Sequence, residues 1–92
     1  MPTLELRVPP SLREFTHGAT TAQLDGATVG EALRGWSASN APLSRRLFGV
    51  DGHLRESIAL YLNDQPLGGA GRSATPVRDG DRLEIVASLA GG

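Results

Sequence analysis

Ninety-two residues fit one domain with one modest core, since a chain of this size buries only about two thirds of the surface it exposes when unfolded. Hydrophobic residues make up 39% and charged residues 21%, but the only aromatics are Phe15, Trp36, Phe48 and Tyr61, so aliphatic side chains must carry the packing. Nine basic and ten acidic residues give a net charge of -1 with the signs interspersed, which argues against a nucleic-acid partner.

All the basic residues are arginine, so there is no lysine amine for a Schiff base or for chains of the protein linked to itself. Cysteine is absent too, which removes disulfides, thiolate metal sites and thiol nucleophiles; any sulfur chemistry must use borrowed sulfur. The opening residues lack the basic and apolar regions of a signal peptide, and no segment approaches the roughly 20 apolar residues that span a bilayer. The expectation is a cytoplasmic protein without a membrane partner.

From Thr3 to Val8, Leu4, Leu6 and Val8 alternate with Thr3, Glu5 and Arg7, the period of a half-buried strand ended by Pro9 and Pro10. A weaker strand over Thr20 to Asp25 pairs with it as a hairpin across a loop containing Phe15 and Gly18. Thr28-Val-Gly-Glu31 reads as a capping box, with the Thr28 hydroxyl accepting an amide and Glu31 reaching back to the Thr28 amide. A helix follows with Val29, Ala32, Leu33 and Trp36 on one stripe, fraying over Ser37 to Asn40, and Pro42 starts a short helical turn bearing Leu43 and Leu47.

Gly49 to Gly52 is a loop. Ser57 to Leu62 is a strand with Ile58, Leu60 and Leu62 inward and Ala59 and Tyr61 outward. Asn63-Asp64 is a turn, Gln65 to Leu67 a brief edge strand because Pro66 has no amide, and Gly68 to Gly71 a surface loop. After the Asp79-Gly80-Asp81 turn, Arg82 to Ser88 is a strand with Leu83, Ile85 and Ala87 on one face and Glu84, Val86 and Ser88 on the other. One helical stripe and the inward strand faces have only each other to bury against, so the fold class is α+β: a mixed sheet around one main helix, with the first and last strands parallel neighbours, the β-grasp arrangement. The domain covers residues 1–88, leaving residues 89–92 as a tail ending in Gly-Gly.

Several groups that could carry chemistry have plainer readings. Gly69-x-Gly71-x-x-Ala74 fits a dinucleotide fingerprint only formally: no strong strand precedes it, Pro76 interrupts any helix, and too little chain remains for a βαβ unit. His17 and His53 sit in separate loops without a matched carboxylate or cysteine spacing, so no metal is implied. Asp79 and Asp81 flank a turn glycine, where Asp bonds local amides rather than doing acid-base work, and Trp36 reads as a core residue between helix and sheet. No catalytic residue is expected.

The ending Val77-Arg-Asp-Gly-Asp-Arg-Leu-Glu-Ile-Val-Ala-Ser-Leu-Ala-Gly-Gly92 resembles the turn, last strand and terminal Gly-Gly of the β-grasp sulfur carriers. Thr28-Val-Gly-Glu-Ala-Leu33 and Leu60-Tyr-Leu-Asn-Asp64 resemble the helix start and a strand-to-turn segment of the same family. That family comprises the thiamine-pathway carrier, the small subunit of molybdopterin synthase and the cysteine-pathway carrier. The stretch from Leu54 to Asp64 and the length look closest to the cysteine-pathway carrier, whereas Ala87 and Ser88 stand where many molybdopterin-type members have paired prolines.

The resemblance implies that the working group is the carboxylate of Gly92, adenylated with ATP by an E1-like activating enzyme of the ThiF/MoeB type. A sulfur donor then displaces AMP to leave a thiocarboxylate. A sulfur-accepting biosynthetic enzyme consumes it, with cysteine biosynthesis the leading pathway and molybdopterin, thiamine or another sulfur-containing metabolite the alternatives. The protein is then a co-substrate rather than an enzyme and holds no cofactor of its own. Gly91 and Gly92, with Ala90 and Leu89, form the tail that enters the enzyme's channel, where glycine allows close backbone approach. Tyr61, Val86 and Leu89 are the expected partner contacts, with Arg7, Arg82 and Glu84 as a polar rim. A covalent protein modifier uses the same tail, and a noncovalent interaction domain shares the fold with an inert tail.

Overall fold

The computed structural model describes residues 1–69 and 71–87. Strands β1 (Thr3–Arg7) and β2 (Thr21–Asp25) form an antiparallel hairpin; helices α1 (Val29–Ser37) and α2 (Ala41–Leu47) follow, then β3 (Ile58–Leu62), β4 (Gln65–Leu67) and β5 (Arg82–Ala87). The sheet order is β2-β1-β5-β3-β4, with β5 parallel to β1 and antiparallel to β3. The chain from β2 to β4 thus connects two central neighbours, and within it α1 and α2 lie over one face of the sheet. This is the expected β-grasp.

Strand alternation builds the core. Leu4, Leu6, Leu24, Ile58, Leu60, Leu83 and Ile85 are buried from the sheet, and Val29, Ala32, Leu33, Leu43 and Leu47 meet them from the helices. The core's innermost helical line is Val29, Leu33 and Ser37 rather than one ending at Trp36. Trp36 lies one residue, or about 100°, around the helix, half-buried at the edge of the core, while Ser37 is buried and donates its hydroxyl to the Leu33 carbonyl at 2.9 Å.

Two further details differ from expectation. Residues Pro10–Phe15 form a 3-10 turn, not an irregular loop, and bury Leu12. Pro9 and Pro10 do end β1, but Pro10 also presets the first dihedral of a helical turn and loses no needed amide there. Only half of the capping box forms: Glu31 N–H donates to the Thr28 hydroxyl at 3.2 Å, whereas the Glu31 carboxylate lies 3.4 Å from that hydroxyl rather than on the Thr28 amide. The start of α1 is also held by the Val29 amide donating to the Thr75 carbonyl, beside the Val77 amide on the Ala27 carbonyl.

The loop between α2 and β3 is secured largely by guanidinium groups. Arg34 donates to the Gly52 carbonyl and lies over the Phe48 ring, 4.7 Å from its centroid; Arg55 donates to the Arg45 carbonyl; Arg72 donates to the carbonyls of Arg55 and Ile58. A planar, multiply donating group can satisfy several carbonyls at once, which explains a use for arginine that lysine would serve poorly.

Gly30 is buried on α1 where a second 3-10 turn, Arg72–Ala74, packs against the helix. A Cβ at this position would lie 2.9 Å from the Ser73 carbonyl oxygen. Helix propensity alone favours alanine over glycine by about 1 kcal/mol, but overpacking against backbone costs about 1–3 kcal/mol, and backbone cannot swing aside as a side-chain end can. Gly30→Ala is therefore expected to lower the urea midpoint of unfolding; a raised midpoint would show that propensity wins.

Candidate functional site

Helices α1 and α2 cover one face of the sheet, and among the described residues the other face is bare. On the bare face, Tyr61 of β3, Glu84 of β5 and Arg7 of β1 lie side by side, continued outward by Pro66 on β4 and Thr21 on β2. One row further along β5, Val86 is paired with Ala59; one row back, Arg82 is paired with Glu5. The face is therefore graded along β5, charged where the strand begins and apolar where it leads toward residues 88–92.

Tyr61 and Val86 fall on the same face as expected, as diagonal neighbours on adjacent strands. Val86 is 44% exposed, a high value for a large aliphatic side chain, while Tyr61 is half-buried. The polar residues Arg7, Arg82 and Glu84 also lie here, around a shallow pocket of about 170 Å³ shared with Glu5, Tyr61 and Asp64. The Arg82 guanidinium is 3.6 Å from the Asp64 carboxylate, with both side chains largely exposed, an ion pair worth no more than about 1 kcal/mol. Asp64 joins this group although its turn position in the sequence does not point to it. Leu89, Ala90, Gly91 and Gly92, and the boundary of the domain at residue 88, lie outside the described residues.

The start of β5 is anchored by two turns that meet in space. Asn63 and Asp64 both take left-handed backbone angles, with φ of 51° and 69°, and form the two-residue hairpin between β3 and β4. In the other turn Gly80 has φ of 85°. The Asn63 amide group donates to Asp81 at 3.0 Å, its carbonyl accepts the Arg82 amide at 2.9 Å, and its backbone N–H donates to the Arg82 carbonyl at 2.8 Å. Asp81 also accepts the Arg78 amide at 2.8 Å, and Asp79 accepts the Thr3 amide at 2.8 Å. The two aspartates thus bond backbone amides, as their turn position predicts, but Asp79 does so across to β1. The sequence marks both turns; nothing in it shows that Asn63 joins them.

These contacts hold the start of β5 against both neighbours. The hydrogen bond from Asn63, followed by that from the Arg78 amide, keeps the Asp81 carboxyl below its ordinary value of 3.8. His17 and His53 are exposed in separate loops.

The sequence matches the model of the ThiS family over residues 6–92. It is 31% identical over 87 residues to the sulfur carrier protein CysO of Mycobacterium tuberculosis, covering 92% of this chain and 94% of the other. Among solved structures, the BexX/CysO complex of Amycolatopsis orientalis contains a chain 31% identical, matching 97% of this chain and 99% of that one with a TM-score of 0.83. Small archaeal modifier protein 1 of Haloferax volcanii is 27% identical, matching 97% of this chain and all of the other with a TM-score of 0.79.

Because its carboxyl value is lowered on folding, Asp81 stabilises the protein above the unfolded value near 3.8, and that contribution is lost as pH falls through the lower folded value. Asp81→Ala is expected to cost about 1 kcal/mol or somewhat more at pH 7, the scale of a net hydrogen bond at a half-exposed site. The difference from wild type in urea unfolding should shrink below pH 3.8. A difference independent of pH would mean that the carboxylate's charge has no part in joining the turns.

Proposed function

Because the chain belongs to the ThiS family, we propose that it is a sulfur carrier, with the carboxylate of Gly92 as its working group. The observation that carries this reading is the grading of the bare sheet face: its apolar end, at Val86 and Tyr61, lies where β5 leads into the Gly-Gly segment. A tail that must enter an active site needs its domain held at the channel mouth, and an exposed apolar patch beside the tail's root is suited to that.

In this reading the Gly92 carboxylate attacks the α-phosphorus of ATP in an E1-like activating enzyme, and pyrophosphate leaves. A sulfur donor then attacks the acyl carbon of the adenylate and AMP departs, leaving the thiocarboxylate. The charge needed on phosphate is supplied by the activating enzyme; the carrier contributes reach, a residue without Cβ, and a docking face. Arg7 and Glu84, adjacent on the bare face, together with Arg82, orient the encounter from the polar side of the patch. The thiocarboxylate is then delivered to a sulfur-accepting enzyme. Similarity to CysO favours cysteine biosynthesis for that step, and the BexX/CysO complex supports docking of such a carrier on an acceptor enzyme.

A second reading, covalent attachment to other proteins, is favoured by the likeness to a small archaeal modifier protein. It shares the adenylate but ends in an amide on a lysine of another protein, because this chain contains none. Intact mass of the products separates the two.

With an activating enzyme of this class, ATP and a sulfur source, the wild type is expected to gain about 16 Da, the difference between sulfur and oxygen. Deleting Gly92 shortens the reach by about 3.5 Å, and a misplacement of even about 1 Å can cost roughly a hundredfold in rate, so the deletion should abolish the gain with little change in melting temperature. Equal gain at an equal rate without Gly92 would sink the carrier reading and leave the noncovalent domain in its place.

Tyr61→Ala combined with Val86→Asp should weaken adenylation while the protein remains folded by circular dichroism. Normal kinetics in the double variant would remove these residues from the docking face.

A further inference from the structure

Strand β5 has two neighbours along its first half and one along its last residues. Its register with β1 ends at the pair Arg7 and Glu84, whereas its register with β3 continues to Ala87. The Asp81 carbonyl accepts the Glu5 amide on the β1 side, and the Arg82 carbonyl accepts the Asn63 amide on the β3 side. Strand alternation therefore turns the Ile85 carbonyl and the Ala87 amide toward β1.

The β1-side residue that continues the register opposite Val86 is Pro9. A parallel partner there would give its N–H to the Ile85 carbonyl, and proline has none. The chain instead turns away into the Pro10–Phe15 segment, with the Val8 amide donating to the Thr20 carbonyl of the β2 side. What remains between that segment and β5 is a groove of about 440 Å³. Val8, Pro9, Pro10, Ile85 and Val86 supply apolar wall, and Arg7 and Arg13 stand at it with Glu84. Arg13 uses its Nε on the Val8 carbonyl at 3.3 Å, which leaves the terminal nitrogens of the guanidinium for another acceptor.

Resting on the carrier reading above, we propose that this groove receives an extended segment of the activating enzyme, added to β5 as a parallel strand opposite Val86. The segment's amide meets the Ile85 carbonyl, its carbonyl meets the Ala87 amide, an apolar side chain fills the groove, and a neighbouring carboxylate pairs with Arg7 or Arg13. Main-chain bonds provide affinity in such strand addition and the side-chain pockets provide selectivity. Proximity specifies the occupant. Residues 88–92 span at most about 18 Å when extended, so an enzyme that holds Gly92 in its active site has its channel mouth within that distance of Ala87. The basic flanks select an acidic segment rather than a basic one.

The test uses the full chain and a ThiF/MoeB-type activating enzyme, read by ATP–pyrophosphate exchange. Ser11→Trp places an indole in the groove while leaving Tyr61 and the charged residues Arg7, Arg13 and Glu84 unsubstituted, and is expected to raise KM about tenfold or more at unchanged kcat, the signature of lost docking. Ala38→Trp, at an exposed position on the helical side, should leave KM unchanged. Should Ser11→Trp fail to fold, Ala87→Pro decides: it removes the Ala87 amide, which strand alternation aims at the groove, while the amides facing β3 remain, and the same rise in KM is expected. Hydrogen exchange at the Ala87 amide should slow in the wild-type complex relative to the free protein.

Folded variants with the KM of wild type, or an Ala87 amide that exchanges equally fast in the complex, would overturn the proposal while leaving the carrier reading intact. Slowed exchange that depends on protein concentration without enzyme would assign the groove to a second copy and also overturn it. A wild type that no such enzyme adenylates would overturn both readings together.

Discussion

The parallel pairing of β1 with β5 is the constraint on which the other features depend. Two parallel neighbours cannot be joined by a tight turn, so the chain between them must cross over one face of the sheet. That crossing puts α1 and α2 on one side, where their apolar stripes bury against Leu4, Leu6, Leu83 and Ile85. The same crossing leaves the opposite face without a cover among the described residues. A bare sheet face is thus a by-product of how the core is closed, and it costs little because its residues are largely charged or small.

That bare face is uneven in a way that suits a protein read by others. Along β5 the outward residues change from the exposed Arg82 through the half-buried Glu84 to the exposed Val86, so polarity falls toward the end of the strand. The charged end is also the anchored end, where Asn63 and Asp81 tie two turns together, and where the amide of Thr3 is bound by Asp79. Anchoring at the start of the strand sets its register against β3. A slip of two residues would move the end of the strand by about 7 Å, a large error for the carboxylate that the proposed reading delivers to an active site.

Arginine does structural work on the covered side. The loop from Phe48 to Ser57 has little regular structure, yet Arg34 and Arg72 donate to carbonyls within it or at its end, and Arg55 ties it to the Arg45 carbonyl of α2. Each guanidinium keeps its charge partly solvated while its donors close backbone groups that the loop cannot pair internally. The same composition leaves the protein without a lysine acceptor, so structure and chemistry are served by one bias in residue usage.

Elements whose pattern is local could be read from the sequence. Two-residue alternation placed β1, β3 and β5 with their inward and outward faces, Thr28 marked the start of α1, and the Asn63-Asp64 and Asp79-Gly80-Asp81 turns followed from residues that tolerate or require left-handed backbone. Tyr61 and Val86 were assigned to one face because each depends only on the parity of its own strand. What the local pattern could not specify was which elements touch. Asn63 bonding Asp81, Ser37 rather than Trp36 lying innermost, and β1 parting from β5 after the pair of Arg7 with Glu84 all depend on packing between segments distant in sequence. Periodicity reports which side of an element is buried, because burial follows the repeat of the backbone; only the assembled sheet decides the neighbour, because register and crossing are settled by all the contacts at once.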